Sequence, residues 1–202
     1  MDEAMIKKAK RHFNRVDPVM ADLIRTCQPV SYIKRKPNPF HALIQTIVNQ
    51  QLLIKAGQTI FSRLLVLQGG RVLKAEKMVA LTQKQIQKCG VSINKTRSIQ
   101  TIAKAVVNKE LNFKKLGKLD DDAVLAELID YPGIGQWSAE IFLMGSFNRP
   151  DILPVGDLVL RKSMQKFYSI ASDAHIDDYL EVAQIWRPFR TIASRYLWAA
   201  YQ

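Results

Sequence analysis

The chain has 202 residues, 48% of them apolar, and thirty Lys and Arg against eighteen Asp and Glu leave a formal net charge of +12. This is enough for one ordinary domain or two small lobes, while two cysteines, Cys27 and Cys89, are too few for a disulfide framework or a four-cysteine metal site and point to a reducing compartment. No apolar run approaches the roughly 18 residues a membrane span needs, and the opening MDEAMIKKAKRHF has no apolar signal core, so a cytoplasmic protein with no membrane partner is expected. The positive charge favours a polyanionic partner, through phosphate contacts and counterion release.

Helical periodicity runs through most of the sequence, with no sustained period-two alternation. In NPFHALIQTIVNQQLLIKAGQTIFSRLL, Phe40, Leu43, Ile44, Ile47 and Val48 recur at three and four residues behind an Asn38 cap and Pro39 at the first helical position. The amides of NQQLL then mark a helix junction or a solvent-facing tip before a second helix through Phe61 and Leu65. Thr82 with Gln85 reads as a capping box and Gly90 as a stop, and Ile99, Ile102, Ala103, Val106 and Val107 form one apolar face. The acids of DDDAVLAELI suit a helix N-terminus. Helices from Gln136, from Asp157 or just after, and from Pro188 to the end complete an all-α fold of about eight to ten helices.

DYPGIGQWSAE, residues 130–140, interrupts this pattern. Pro132 cannot continue a helix, Gly133 and Gly135 permit positive φ, and Ile134 can turn inward, which together spell a helix-hairpin-helix. Two uses fit it: bare backbone N–H groups and the following helix N-terminus gripping a phosphate, with the Ser138 hydroxyl one turn in, or glycines that merely allow tight packing. A hairpin that grips phosphate positions a duplex and reads no bases.

With this hairpin, the loop RPDILPVGDLVLRKSM, the upstream PFHALIQTIVNQQLLIKAG and the ending RPFRTIASRYLWAAY, the sequence resembles the helix-hairpin-helix (HhH-GPD) DNA glycosylases. The branch it resembles removes alkylated bases, the DNA-3-methyladenine glycosylase II type, in the compact form without an extra N-terminal domain. The resemblance implies two helical lobes with a cleft between them: residues 39–115 with a probing loop, and 116–202 with the hairpin and catalytic loop, on which the N-terminal residues pack. It implies a monomer acting on double-stranded DNA with a damaged base, in the nucleoid of a bacterium or in a nucleus.

It also implies residue roles. Asp157 takes the catalytic position; read locally, an Asp after PVG is equally a helix N-cap, and the two roles are compatible. Trp137, Trp198 and Ile141 fall at positions of the base pocket, Ile141 where the branch has a further aromatic. Trp137 also stands where the strand-cutting members carry a nucleophilic Lys; a Trp cannot form a Schiff base, so no lyase step is expected. Gln51 or Leu52 would wedge into the base stack, with Gln50 on the opposite strand. Gly133, Gly135 and Ser138 would bind phosphate. The carbonyls of Ile129, Tyr131 and Gly133 would hold a structural Na+ or K+, with no cofactor required. Read locally, Lys55, Lys95, Arg97, Arg161 and Lys162 are solvated surface charges or phosphate contacts, the solvated reading being the more ordinary. A glycosylase for oxidised or deaminated bases, or a non-catalytic DNA-binding module, shares these features.

Overall fold

A computed structural model describes residues 1–27 and 38–201. Among these residues there are α-helices α1 (Glu3–Val16), α2 (Pro18–Thr26), α3 (Pro39–Asn49), α4 (Ile54–Leu67), α5 (Ala75–Val79), α6 (Gln83–Lys88) and α7 (Ile93–Val107). They continue as α8 (Phe113–Leu116), α9 (Asp121–Ile129), α10 (Gln136–Ser146), α11 (Leu158–Tyr168), α12 (Ile176–Val182) and α13 (Arg190–Ala200), with a 3-10 turn at Ala183–Trp186 and no strand. The fold is all-α, with more helices than the periodicity predicts. The surplus is short: α5 and α8 have 5 and 4 residues, too few for a 3.6-residue period to register. The last helix starts at Arg190, after the 3-10 turn, rather than at Pro188.

Helix starts follow their caps. Asn38 accepts from the His41 N–H at 3.0 Å, Asp120 from Ala123 at 2.8 Å, and the Thr82–Gln85 capping box is formed in both directions. Gly90 ends its helix region with φ 98°.

The chain divides into two units, Met1–Arg35 with Leu143–Gln202, and Lys36–Phe142. In the first, α1 packs on α2, and α13 packs on both α2 and α11, around Phe13, Met20, Leu160, Trp186, Ile192 and Tyr196. At the α1–α2 junction Asp17, 2% exposed, receives the Trp186 indole N–H and the Tyr168 hydroxyl, each at 2.7 Å, and caps α2 through Met20 N at 2.9 Å. Burial and this carboxylate push the Tyr168 phenol well above its ordinary pKa.

In the second unit α7 is the central helix: α3, α5 and α6 all pack on it, and α4 packs on α3. The boundary differs from the expected 115/116 division, because the hairpin stays with this unit. Gln50 bonds Gly133 and Ser138, and the Phe113 and Phe142 rings meet at 5.8 Å between centroids. The division falls instead after Phe142, inside α10, where the uninterrupted helical run QWSAEIFLMGS carries no mark of it.

Candidate functional site

The hairpin joins α9 to α10. Tyr131 N bonds Leu128 O at 3.2 Å and Ile134 N bonds Tyr131 O at 3.1 Å, turning the chain, while Ile134, 4% exposed, anchors it. The two glycines differ. Gly133 has φ 82°, and a Cβ there would collide with the Ser98 side chain on α7, so this glycine serves both the turn and close packing. At Gly135 a Cβ would meet nothing within 4 Å. Its bareness has no packing reason inside the chain, and it stands exposed at the start of α10, at the positive end of the helix dipole.

Ser138 is not a solvent-facing hydroxyl. It is 2% exposed and accepts the Gln50 side-chain N–H at 2.7 Å; at the third position of α10 it faces the α3–α4 loop rather than the solvent in front of the hairpin. Gln50, expected to reach the opposite strand, uses the same amide nitrogen on Gly133 O at 2.9 Å. Lys95, read as a solvated side chain or a phosphate contact, donates to Val48 O at 3.0 Å and Gln50 O at 2.7 Å, capping α3. Burial lowers its ammonium pKa. Lys55, Arg97 and Lys162 are exposed and Arg161 half-buried, as phosphate contacts require.

Of the expected wedge residues, Gln51 is exposed with φ 53° at the tip of the loop, and Leu52 is 40% exposed. Nothing in the sequence singles out Leu53, which the structure leaves 84% exposed. Its neighbour Ile54 is 76% exposed, so the tip presents bare aliphatic surface. For a monovalent cation, the Tyr131 carbonyl already accepts from Ile134 N and the Gly133 carbonyl from Gln50, leaving each a second lone pair. Neutral carbonyl oxygens of this kind, with that of Ile129, suit a hard cation. Trp137 and Ile141, both half-buried, lie four residues apart on α10. Glu140 beside them is 6% exposed. Its Oε1 accepts from Gln136 at 2.9 Å, Oε2 is a buried acceptor without a partner, and burial raises its pKa.

In the other unit Asp157 caps α11. Its Oδ1 accepts both Leu160 N, at 2.8 Å, and the indole N–H of Trp198 on α13, at 3.1 Å. The loop before it is held firmly. Asp151 is bidentate to Arg190 and pairs with Arg187 at 2.8 Å, while Thr191 Oγ1 donates to Arg149 O at 2.8 Å and accepts from Ile152 N at 3.0 Å. Asp157 N closes a turn on Pro154 O at 2.8 Å, and Ser163 Oγ ties α11 to Leu197 O at 2.7 Å. A half-exposed carboxylate with one oxygen held in place is of a kind that can stabilise a developing positive charge.

Known proteins are similar to this chain over most of its length. The chain is 28% identical to DNA-3-methyladenine glycosylase 1 of Schizosaccharomyces pombe, covering 96% of this chain and 86% of the relative. A crystal structure of the DNA-3-methyladenine glycosidase of Bacillus halodurans superposes with TM-score 0.82 at 32% identity, over 95% of this chain and 88% of that one. The S. pombe 3-methyladenine DNA glycosylase Mag1 in complex with abasic DNA does so with TM-score 0.85 at 28% identity, over 95% of both chains. The family model of the HhH-GPD superfamily of base excision DNA repair proteins matches residues 44–188, from within α3 through the hairpin and Asp157 to the approach to α13. On that match, and with the hairpin and the capped Asp157 in place, the chain belongs to the HhH-GPD superfamily of base excision DNA repair proteins.

Proposed function

We propose that the protein is a monofunctional DNA glycosylase that removes alkylated purines such as 3-methyladenine from duplex DNA and leaves an abasic site. The observation that carries the reading is Asp157, fixed at Oδ1 by Leu160 N and Trp198 and half-exposed at the start of α11. Cleavage of an N-glycosidic bond builds oxocarbenium character on the sugar, which a set carboxylate stabilises while it orients or deprotonates water. An alkylated purine is cationic, so its glycosidic bond is weakened and it is drawn to aromatic faces; in one unit Trp198, beside Asp157, offers such a face, and in the other Trp137 does, with Ile141 four residues on. The exposed aliphatic tip, Gln51 to Leu53, fills the stack that the flipped base vacates. Gly133 and Gly135 set the backbone against phosphate, and the carbonyls of Ile129, Tyr131 and Gly133 would hold a monovalent cation beside it.

Trp137 at the position of the lyase lysine supports base release without strand cleavage, and a single copy of the chain suffices for the reaction. The relatives named for 3-methyladenine favour that substrate over oxidised bases. The test is chromatographic identification of bases released from methylated duplex DNA by wild type and by Asp157→Asn. Release of 3-methyladenine by wild type alone, with no borohydride-trapped complex, is expected. Faster release of 8-oxoguanine or uracil from parallel duplexes that carry those bases moves the substrate, and full activity in Asp157→Asn sinks the assignment of the catalyst.

A further inference from the structure

The α3–α4 loop holds a strained backbone. Leu52 N bonds Asn49 O at 3.2 Å, closing a turn with Gln50 at φ −51°, ψ 131° and Gln51 at φ 53°. These angles fit a type II turn, whose third position ordinarily goes to Gly or Asn. A glutamine there is strained and persists only where the surroundings over-determine it.

The surroundings do so from two sides. The Lys95 ammonium joins the Val48 and Gln50 carbonyls, and the Gln50 side chain joins Gly133 O and Ser138 Oγ. Lys95 and Ser98 lie three residues apart on α7, and Ser98 is the side chain against which Gly133 packs. One face of α7 thus backs both the loop and the hairpin. We propose that Lys95 is a positioning residue for base flipping, which fixes the wedge-bearing loop to the phosphate-gripping hairpin so that the two engage a duplex as one body. The use assigned to this brace rests on the glycosylase reading; its geometry does not.

Wild type, Lys95→Met, Lys95→Arg and Gln50→Met are titrated, across a salt series, onto a duplex with an abasic site flanked by 2-aminopurine. The fluorescence of that base rises when a wedge unstacks it. At saturating protein Lys95→Met and Gln50→Met lose at least fivefold of the wild-type fluorescence gain, and Lys95→Arg recovers part of it. The slope of log Kd against log salt stays the same in all four, because no phosphate contact has been removed. A slope smaller by about one in Lys95→Met makes Lys95 a phosphate ligand and overturns the proposal. An undiminished gain in Lys95→Met, or no gain in wild type, overturns it as well. Should Lys95→Met fail to fold, Gln50→Met carries the test alone. A wild type that unstacks the reporter but releases no 3-methyladenine sinks the substrate reading and leaves the brace standing.

Discussion

Asp17 and Asp157 begin from the same local design: each caps a helix through an N–H three residues on, and each accepts an indole N–H. Asp17 is 2% exposed and receives a third donor, the Tyr168 hydroxyl, so its two oxygens join three elements of the core. Asp157 stands half-exposed, with its cap and its indole meeting on one oxygen. The contrast teaches that the same capping design serves at two depths: buried, the aspartate clamps core elements together, and half-exposed, it keeps a carboxylate within reach of solvent.

Exchanging the two carboxylates breaks the comparison most sharply. Asp157→Asn keeps an acceptor for Leu160 N and Trp198, so its melting temperature stays close to wild type, while single-turnover base release falls on the order of 10²–10⁴-fold. Asp17→Ala leaves two buried donors and a helix start unsatisfied. It should lose about 3 kcal/mol, roughly 6–12 °C in Tm by calorimetry, with base release by the folded fraction little changed. A loss of activity in Asp17→Ala beyond its unfolded fraction would erase the distinction.

A smaller effect tests the indole. Trp198→Phe retains the ring and removes the N–H on Asp157 Oδ1, and we expect about a fivefold slower excision, the equivalent of one hydrogen bond of about 1 kcal/mol. The smallest concerns a third carboxylate, Glu140, which caps nothing. Burial raises its folded pKa, so between the ordinary carboxylate range and that raised value the folded state holds more protons than the unfolded one. Stability from this group is therefore greatest in acid and is lost as pH rises through the folded pKa. Glu140→Gln, which still accepts from Gln136, should melt higher than wild type at about pH 8, with the gap closing near pH 4. A gap independent of pH would remove the carboxylate from the explanation.

The sequence makes the capped starts readable, since Asn38, Thr82 and Asp120 act on N–H groups within three residues of themselves. The hairpin is readable for the same reason: Pro132, Gly133 and Gly135 constrain only their own backbone. The contacts of Ser138 and Gln50 are not legible, because their partners lie 88 and 83 residues apart and nothing local says which way either side chain turns. Lys95 is one of thirty basic residues, and only its 45- and 47-residue reach to two carbonyls sets it apart. The role of Asp157 is legible only through the family motif, because its local signal is the one that Asp17 shares.

Gly135 carries a consequence for selection. Gly133 is required by the chain itself, since a methyl group there meets Ser98 and an unfavourable φ; at Gly135 a methyl meets only open space. A library sorted for folding and expression alone would discard alanine at the first position and retain it at the second. On the glycosylase reading, the same library sorted for survival under alkylating stress would discard both, the second glycine being the one proposed to meet a phosphate. Tolerance in the first screen combined with intolerance in the second would mark where the demands on this protein pass from its own packing to its partner's backbone.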